Sequence, residues 1–220
     1  MKTLVSVVLL GFITVILAGV NKSAEIRRSE NITSEERELS AFDALYLDIS
    51  AQVTVRQGKK FKCVITAEEN IIPSIETKIK GYSLHIDSKK GFSTNKKVDI
   101  AVEVPLLTVA VVNGSGIIDI SEVSNEKLTL AINGSGDIRI DGFVDQLKVT
   151  INGSGDLDAT ELEAEKVTVT INGSGDANVR VRKSLTANIH GSGDIVYWGT
   201  PTDLNTSILG SGDIIEKAPD

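Results

Sequence analysis

The sequence is poor in the residues that usually carry chemistry. Cys63 is its only cysteine, so no intramolecular disulfide forms and the fold rests on burial and hydrogen bonds. Within "KCVITA" this residue reads as a small buried hydrophobe rather than a nucleophile. His85 and His190 are the only histidines, on separate strand-like segments without the spacing of a metal pair. Aromatic residues make up 4% of the chain, too few for the aromatic-lined groove of a polysaccharide lyase or hydrolase. The one adjacent pair, Tyr197-Trp198, is expected to cover the core near the C-terminal end rather than to stack on a sugar. A basic surface is also missing. Setting aside residues 1–24, which hold Lys2 and Lys22, leaves 23 − 2 = 21 basic against 30 acidic residues, a net charge of −9. Such a surface excludes nucleic acid as a partner and is repelled by anionic membranes.

Long apolar runs are absent except at the start. Residues 4–20, "LVSVVLLGFITVILAGV", follow Met1-Lys2-Thr3 and read as an export signal or, if uncleaved, an N-terminal anchor over 1–24. Leu17-Ala18-Gly19 resembles the start of a lipoprotein signal, but Val20 stands where the lipidated cysteine belongs. Residues 25–40 are dense in charge and poor in apolar side chains, which predicts a flexible tether.

From Ala41 the texture changes to the two-residue alternation of half-buried strands: "ALYLDIS", "AQVTVRQG", "KFKCVITA", "YSLHIDS" and "KKVDIAVEV". Gly58-Lys59-Lys60 reads as a hairpin turn, and Pro73 limits "ENIIPSIETKIKG" to a short helical turn at most. A repeat then takes over. The first glycine of a G-S-G triplet falls at 114, 134, 153, 173, 191 and 210. Before each triplet the same three alternate positions are apolar: Leu128, Leu130, Ile132; Leu147, Val149, Ile151; Val167, Val169, Ile171. A coil of about 19 residues has no room for a helix, two strands and their turns, so the pattern predicts an all-β solenoid. Each strand then pairs in parallel with its copy about 4.8 Å away.

The repeated "NGSGD" reads as the corner of each coil. Glycine at Gly134, Gly136, Gly153, Gly155, Gly173 and Gly175 supplies the turn and leaves no β-carbon to block the coil above. Asn133, Asn152 and Asn172 tolerate left-handed backbone, and with Asn113 they can form an amide ladder that His190 and Leu209 interrupt. The aspartates after the triplets, Asp137, Asp156, Asp176, Asp194 and Asp213, pose a question. Stacked about 4.8 Å apart, each neighbouring pair repels by roughly 0.9 kcal/mol even in bulk water. Backbone N–H groups, diverging side chains in solvent, or a calcium ladder are the three candidates to offset this. Calcium needs six to eight oxygens, and each coil offers one such aspartate where calcium-binding repeats place them about every nine residues.

Other chemistry finds no motif. G-S-G is not the G-x-S-x-G of a hydrolase elbow, and no phosphate loop follows Gly58. Outward threonines (Thr129, Thr150, Thr168, Thr170, Thr186) match strand propensity, and the T-x-T of an ice-binding face occurs once, at 168–170.

Taken together, "FDALYLDISAQVTVRQG", "EENIIPSIETKIKGYSLHI" and the repeated "NGSGDI" resemble the bacterial head GIN-domain family over roughly residues 41–215. The resemblance implies a right-handed parallel β-helix, an exported or surface location, and an adhesin head of autotransporter type. It supplies no catalytic or ligand residues to carry over. The expected organisation is a β-helix domain over 41–216, with irregular coils or a cap at 41–106, repeats at 107–216, and a tail at 217–220; the charge and proline of "EKAPD", residues 216–220, are expected to guard the open sheet edge. The expected function is a non-enzymatic cell-envelope binding module without cofactor or catalytic residues. A surface glycan or protein is its expected partner, and it touches the membrane only through an uncleaved N-terminal segment. A structural envelope protein and a carbohydrate-active β-helix enzyme are the alternatives.

Overall fold

The computed structural model describes residues 31–218; the proposed signal or anchor, tether residues 25–30 and residues 219–220 lie outside them. Fifteen strands join in one sheet: β1 (Ile32–Glu38), β2 (Ala44–Leu47), β3 (Gln52–Gln57), β4 (Lys62–Glu68), β5 (Ile75–Lys80), β6 (Ser83–Ser88), β7 (Asp99–Val104), β8 (Val109–Gly114), β9 (Ile117–Gly134), β10 (Asp137–Gly153), β11 (Leu157–Gly173), β12 (Ala177–Gly191), β13 (Ile195–Trp198), β14 (Asp203–Gly210) and β15 (Ile214–Lys217). Among the described residues a single 3-10 turn, Ile72–Ser74, holds Pro73 and is followed at once by β5.

The repeats form a parallel β-solenoid with coils of roughly 20 residues. Each of β9 to β12 bends around a corner, closing one coil and opening the next. Equivalent residues are paired: Gly153 lies beside Gly134 on one side and Gly173 on the other. The alternating apolar positions point inward and merge into columns. From Leu128 to Ile189, the three inward residues before each triplet are at most 3% exposed. Burial of such side chains contributes about 1.5–3 kcal/mol each, and one coil alone would provide almost none of it. Apart from Ala44 and Val111, all buried apolar side chains among the described residues fall in one cluster, so the core is continuous along the stack.

Stack order departs from chain order at the N-terminal end. β2 lies between β6 and β8, and β3 between β7 and β9. The coil made by β6 and β7 is therefore outermost, although it follows β2 and β3 in the chain. Beyond it the pairing turns antiparallel: β5 covers β6, β4 covers β7, and β1 covers β4. This corrects two expectations. The turn at 58–60 joins β3 to β4, but β7 separates them, so it closes no hairpin. Residues 32–38 are a strand rather than a tether. Their polar sequence suits an edge strand with both faces near water. Order comes from the ladder to β4 and from Arg37, which donates to the carbonyls of Ile72 and Ile75 and to Thr77 Oγ1.

The corners show why glycine recurs. Gly153 has φ 140°, and a β-carbon there would sit 2.2 Å from the Gly134 carbonyl oxygen. Gly155 is not at positive φ, yet its β-carbon would lie 1.9 Å from the Gly136 oxygen. The asparagines before the triplets are not in left-handed backbone; the positive φ falls on the first glycine alone. Ala at position 155 is expected to destabilise the fold by about 3 kcal/mol or more, because backbone cannot yield as a side chain can. Gly81→Ala, at φ 63° with nothing within 4 Å, is expected to cost only about 1–2 kcal/mol. Denaturant unfolding of both variants checks the contrast; equal losses would show that close approach is not what the triplet glycines serve.

Cys63 is fully buried on β4, and burial pushes its thiol up to about 11. Its folded value lies above the ordinary value of 9.0, so its contribution to stability is complete below pH 9 and is lost as pH rises towards 11. Stability measured by denaturant is expected to fall across that window, and less steeply in Cys63→Ala. Identical slopes would show that the thiolate does not form at the core's expense.

Candidate functional site

The asparagine before each triplet faces outward, so the stack brings the side chains into one file. Asn133 Nδ2 donates to Asn113 Oδ1 at 2.9 Å, Asn152 to Asn133 at 2.8 Å, and Asn172 to Asn152 at 2.8 Å. The ladder has a direction, since each amide donates to the coil before it. Its first member must donate to an acceptor, and Asn113 Nδ2 reaches Asp48 Oδ1 at 2.6 Å. Its last member must accept from a donor, and His190 Nδ1 lies 3.2 Å from Asn172 Oδ1. Histidine thus terminates the ladder with a donor rather than interrupting it. The carboxylate Asp48 was not foreseeable as its other end, because it comes from a coil that stacks out of chain order.

The aspartate column is answered by backbone. Asp137 Oδ1 accepts the N–H of Asp156 at 3.1 Å, Asp156 that of Asp176 at 2.9 Å, Asp176 that of Asp194 at 2.8 Å, and Asp194 that of Asp213 at 2.8 Å. Each of these four carboxylates therefore faces a peptide dipole of the next coil, a charge-assisted bond worth more than the neighbour repulsion. Among the described residues no three His, Cys, Asp or Glu side chains converge to hold a metal ion.

Beside the asparagine file lies a flat face. Its outward positions, coil by coil, are Lys127, Thr129, Ala131, Asn133; Gln146, Lys148, Thr150, Asn152; Lys166, Thr168, Thr170, Asn172; and Ser184, Thr186, Asn188, His190. None is acidic, in a chain with 30 acidic residues. The same face continues towards the N-terminal end to Tyr46, which stacks on His85 with centroids 4.7 Å apart and planes 9° apart. Neither aromatic partner carries a spacing signal in the sequence; only the parallel pairing of β2 with β6 brings them together.

Acids gather instead on the face after the triplets, where Asp119, Asp141, Asp158 and Glu161 line a groove of about 310 Å³ with Arg139 and Thr54. Three of these carboxylates are already engaged. Asp119 accepts from Gln52 and pairs with Arg139, Asp141 accepts the N–H of Glu122, and Asp158 accepts from Thr160. Neither histidine lines this groove, and the triplet serines stand one per coil rather than beside a base. Tyr197 is buried and covers the core at the C-terminal end, its hydroxyl 3.4 Å from Glu216.

The aspartate geometry predicts that Asp176→Ala costs about 1 kcal/mol, while Asp176→Asn, which keeps the acceptor and removes a like charge, costs less. Calcium titration of the wild-type chain is expected to release no heat and to leave the unfolding midpoint in place. An Asn variant as weak as Ala, or a calcium-dependent midpoint, would return the column to the cations.

Several solved structures share this architecture. A putative adhesin from Bacteroides fragilis is 22% identical, with a TM-score of 0.73 over 86% of this chain and 99% of its own. A putative lipid binding protein from Parabacteroides distasonis is 25% identical, with a TM-score of 0.54 over 86% of this chain and 98% of its own. A putative adhesin from Parabacteroides merdae is 19% identical, with a TM-score of 0.51 over 86% of this chain and 98% of its own. No curated protein matches the chain. The family described as "Putative auto-transporter adhesin, head GIN domain" matches residues 41–201, and the chain belongs to that family.

Proposed function

We propose that this protein is a non-enzymatic binding module of the cell envelope or cell surface, and that the threonine, lysine and amide side chains of its face from Lys127 to His190 meet a surface glycan or protein. The observation that carries this reading is the lattice of hydroxyl, amide and lysine side chains that repeats at every coil from Lys127 to His190. Every position except Ala131 offers a weak hydrogen bond. A rigid solenoid holds many of them at fixed spacing, so contacts to a repetitive partner add without further ordering cost. The apolar segment at residues 4–20 supports export. Family membership supports the adhesin class.

A glycan and matrix-protein array probed with residues 25–220 tests the proposal. Binding is expected, and the double variant Thr150→Glu with Thr170→Glu is expected to weaken it tenfold or more while leaving the unfolding midpoint within a few degrees. A uniformly blank array would favour a purely structural role in the envelope. Hydrolysis or elimination of an arrayed glycan would favour the enzyme.

A further inference from the structure

The two ends of the solenoid are finished differently. At the N-terminal end the outermost coil is covered by antiparallel strands, and the free strand β1 carries Glu35, Glu36, Arg37 and Glu38. At the C-terminal end nothing among the described residues covers the last coil. Leu204, Thr206 and Ile208 continue the columns of Leu185, Ala187 and Ile189. Those three inner residues are fully buried, whereas Leu204 is 49% and Ile208 44% exposed. The charged residues Glu216 and Lys217, expected to guard this edge, lie in β15; all eight residues of β14 are exposed and Asp203 is its only charge.

The unused backbone groups of β14 are identifiable. Thr129, which occupies the column of Thr186 and Asn205, donates its N–H to the preceding coil. Ser211 does the same towards Gly191. Alternation along the strand then directs the N–H and C=O groups of Leu204, Thr206 and Ile208 to the free edge. The edge therefore offers backbone partners at the residues whose side chains continue the open core.

We infer that this end pairs with the same end of a second copy, β14 against β14, antiparallel about a two-fold axis at Thr206. The register sets Thr206 opposite Thr206 and Leu204 opposite Ile208 of the second copy. Each of these three residue pairs exchanges two backbone hydrogen bonds. Both copies keep Leu204 and Ile208 on the core side. A parallel two-fold pairing would turn one copy's apolar face to solvent. Charge favours the antiparallel register as well. Asp203 lies opposite Leu209, so the two Asp203 carboxylates are about 20 Å apart, beyond the roughly 8 Å screening length. A head-to-tail fibre would have to seat β14 on the charged strands of the opposite end, so the association closes at two copies. The inference goes beyond the binding role proposed above and does not rest on it.

Sedimentation of residues 25–220 over a range of concentrations tests it. The wild type is expected to reach twice the monomer mass. Thr206→Pro removes an N–H that serves only the free edge, so it is expected to return the mass to the monomer, with the unfolding midpoint that the wild type shows when diluted to monomer. Under oxidation, Asn205→Cys mixed with Ser207→Cys is expected to give a covalent dimer that neither variant gives alone to the same extent. Cys63 is buried and takes no part. A wild type that stays monomeric at every concentration overturns the inference and leaves the edge to a strand of another protein. A Thr206→Pro variant that still dimerises, or no preference for the mixed disulfide, overturns it too.

Discussion

The rest of the structure depends on the approach of one coil's glycine corner to the next. At Gly153 and Gly155 the chain passes so close to the carbonyls of Gly134 and Gly136 that no β-carbon fits. That contact sets the coils at the spacing of a parallel hydrogen-bond ladder and keeps every corner in the same place. Small differences in coil length are absorbed at the opposite corners, where the register slips at Asp141 and between Ala159 and Glu163. The G-S-G corner itself stays in register from Gly114 to Gly210.

Once coils stack in register, each sequence position becomes a column, and columns behave differently from single residues. Apolar positions fuse into a continuous core. Asparagines become a polarised ladder that needs an acceptor at one end and a donor at the other; Asp48 and His190 fill those roles. Aspartates become a file of like charge, tolerable because Asp137, Asp156, Asp176 and Asp194 each bind a backbone N–H of the next coil. Outward threonines, unremarkable singly, become a flat polar lattice.

A stack also has two ends, and its ends carry the same problem in opposite states. Antiparallel β1, β4 and β5 cover the first coil, with Arg37 tying β1 down across the 3-10 turn. The last coil presents half-exposed leucine and isoleucine and a nearly uncharged strand. There exposed leucine and isoleucine coincide with an unpaired strand edge, so that end is where further association is physically favoured.

By itself the sequence determined the repeat, its period, the inward columns, the glycine corners and the asparagine file, because all of these follow from local alternation and from residues about 19 apart. The family was legible in the same segments. Tertiary structure alone decided what depends on stacking order. The coil of β6 and β7 packs outside that of β2 and β3, which places Asp48 beneath Asn113 and His85 beside Tyr46. Residues 32–38 read as tether because their ordering comes from backbone bonds to β4 and from Arg37, neither of which leaves an apolar pattern. The partner of the aspartate column was equally hidden. It is a peptide N–H, present at every residue except proline, and only the geometry of the corner says which one points at the carboxylate.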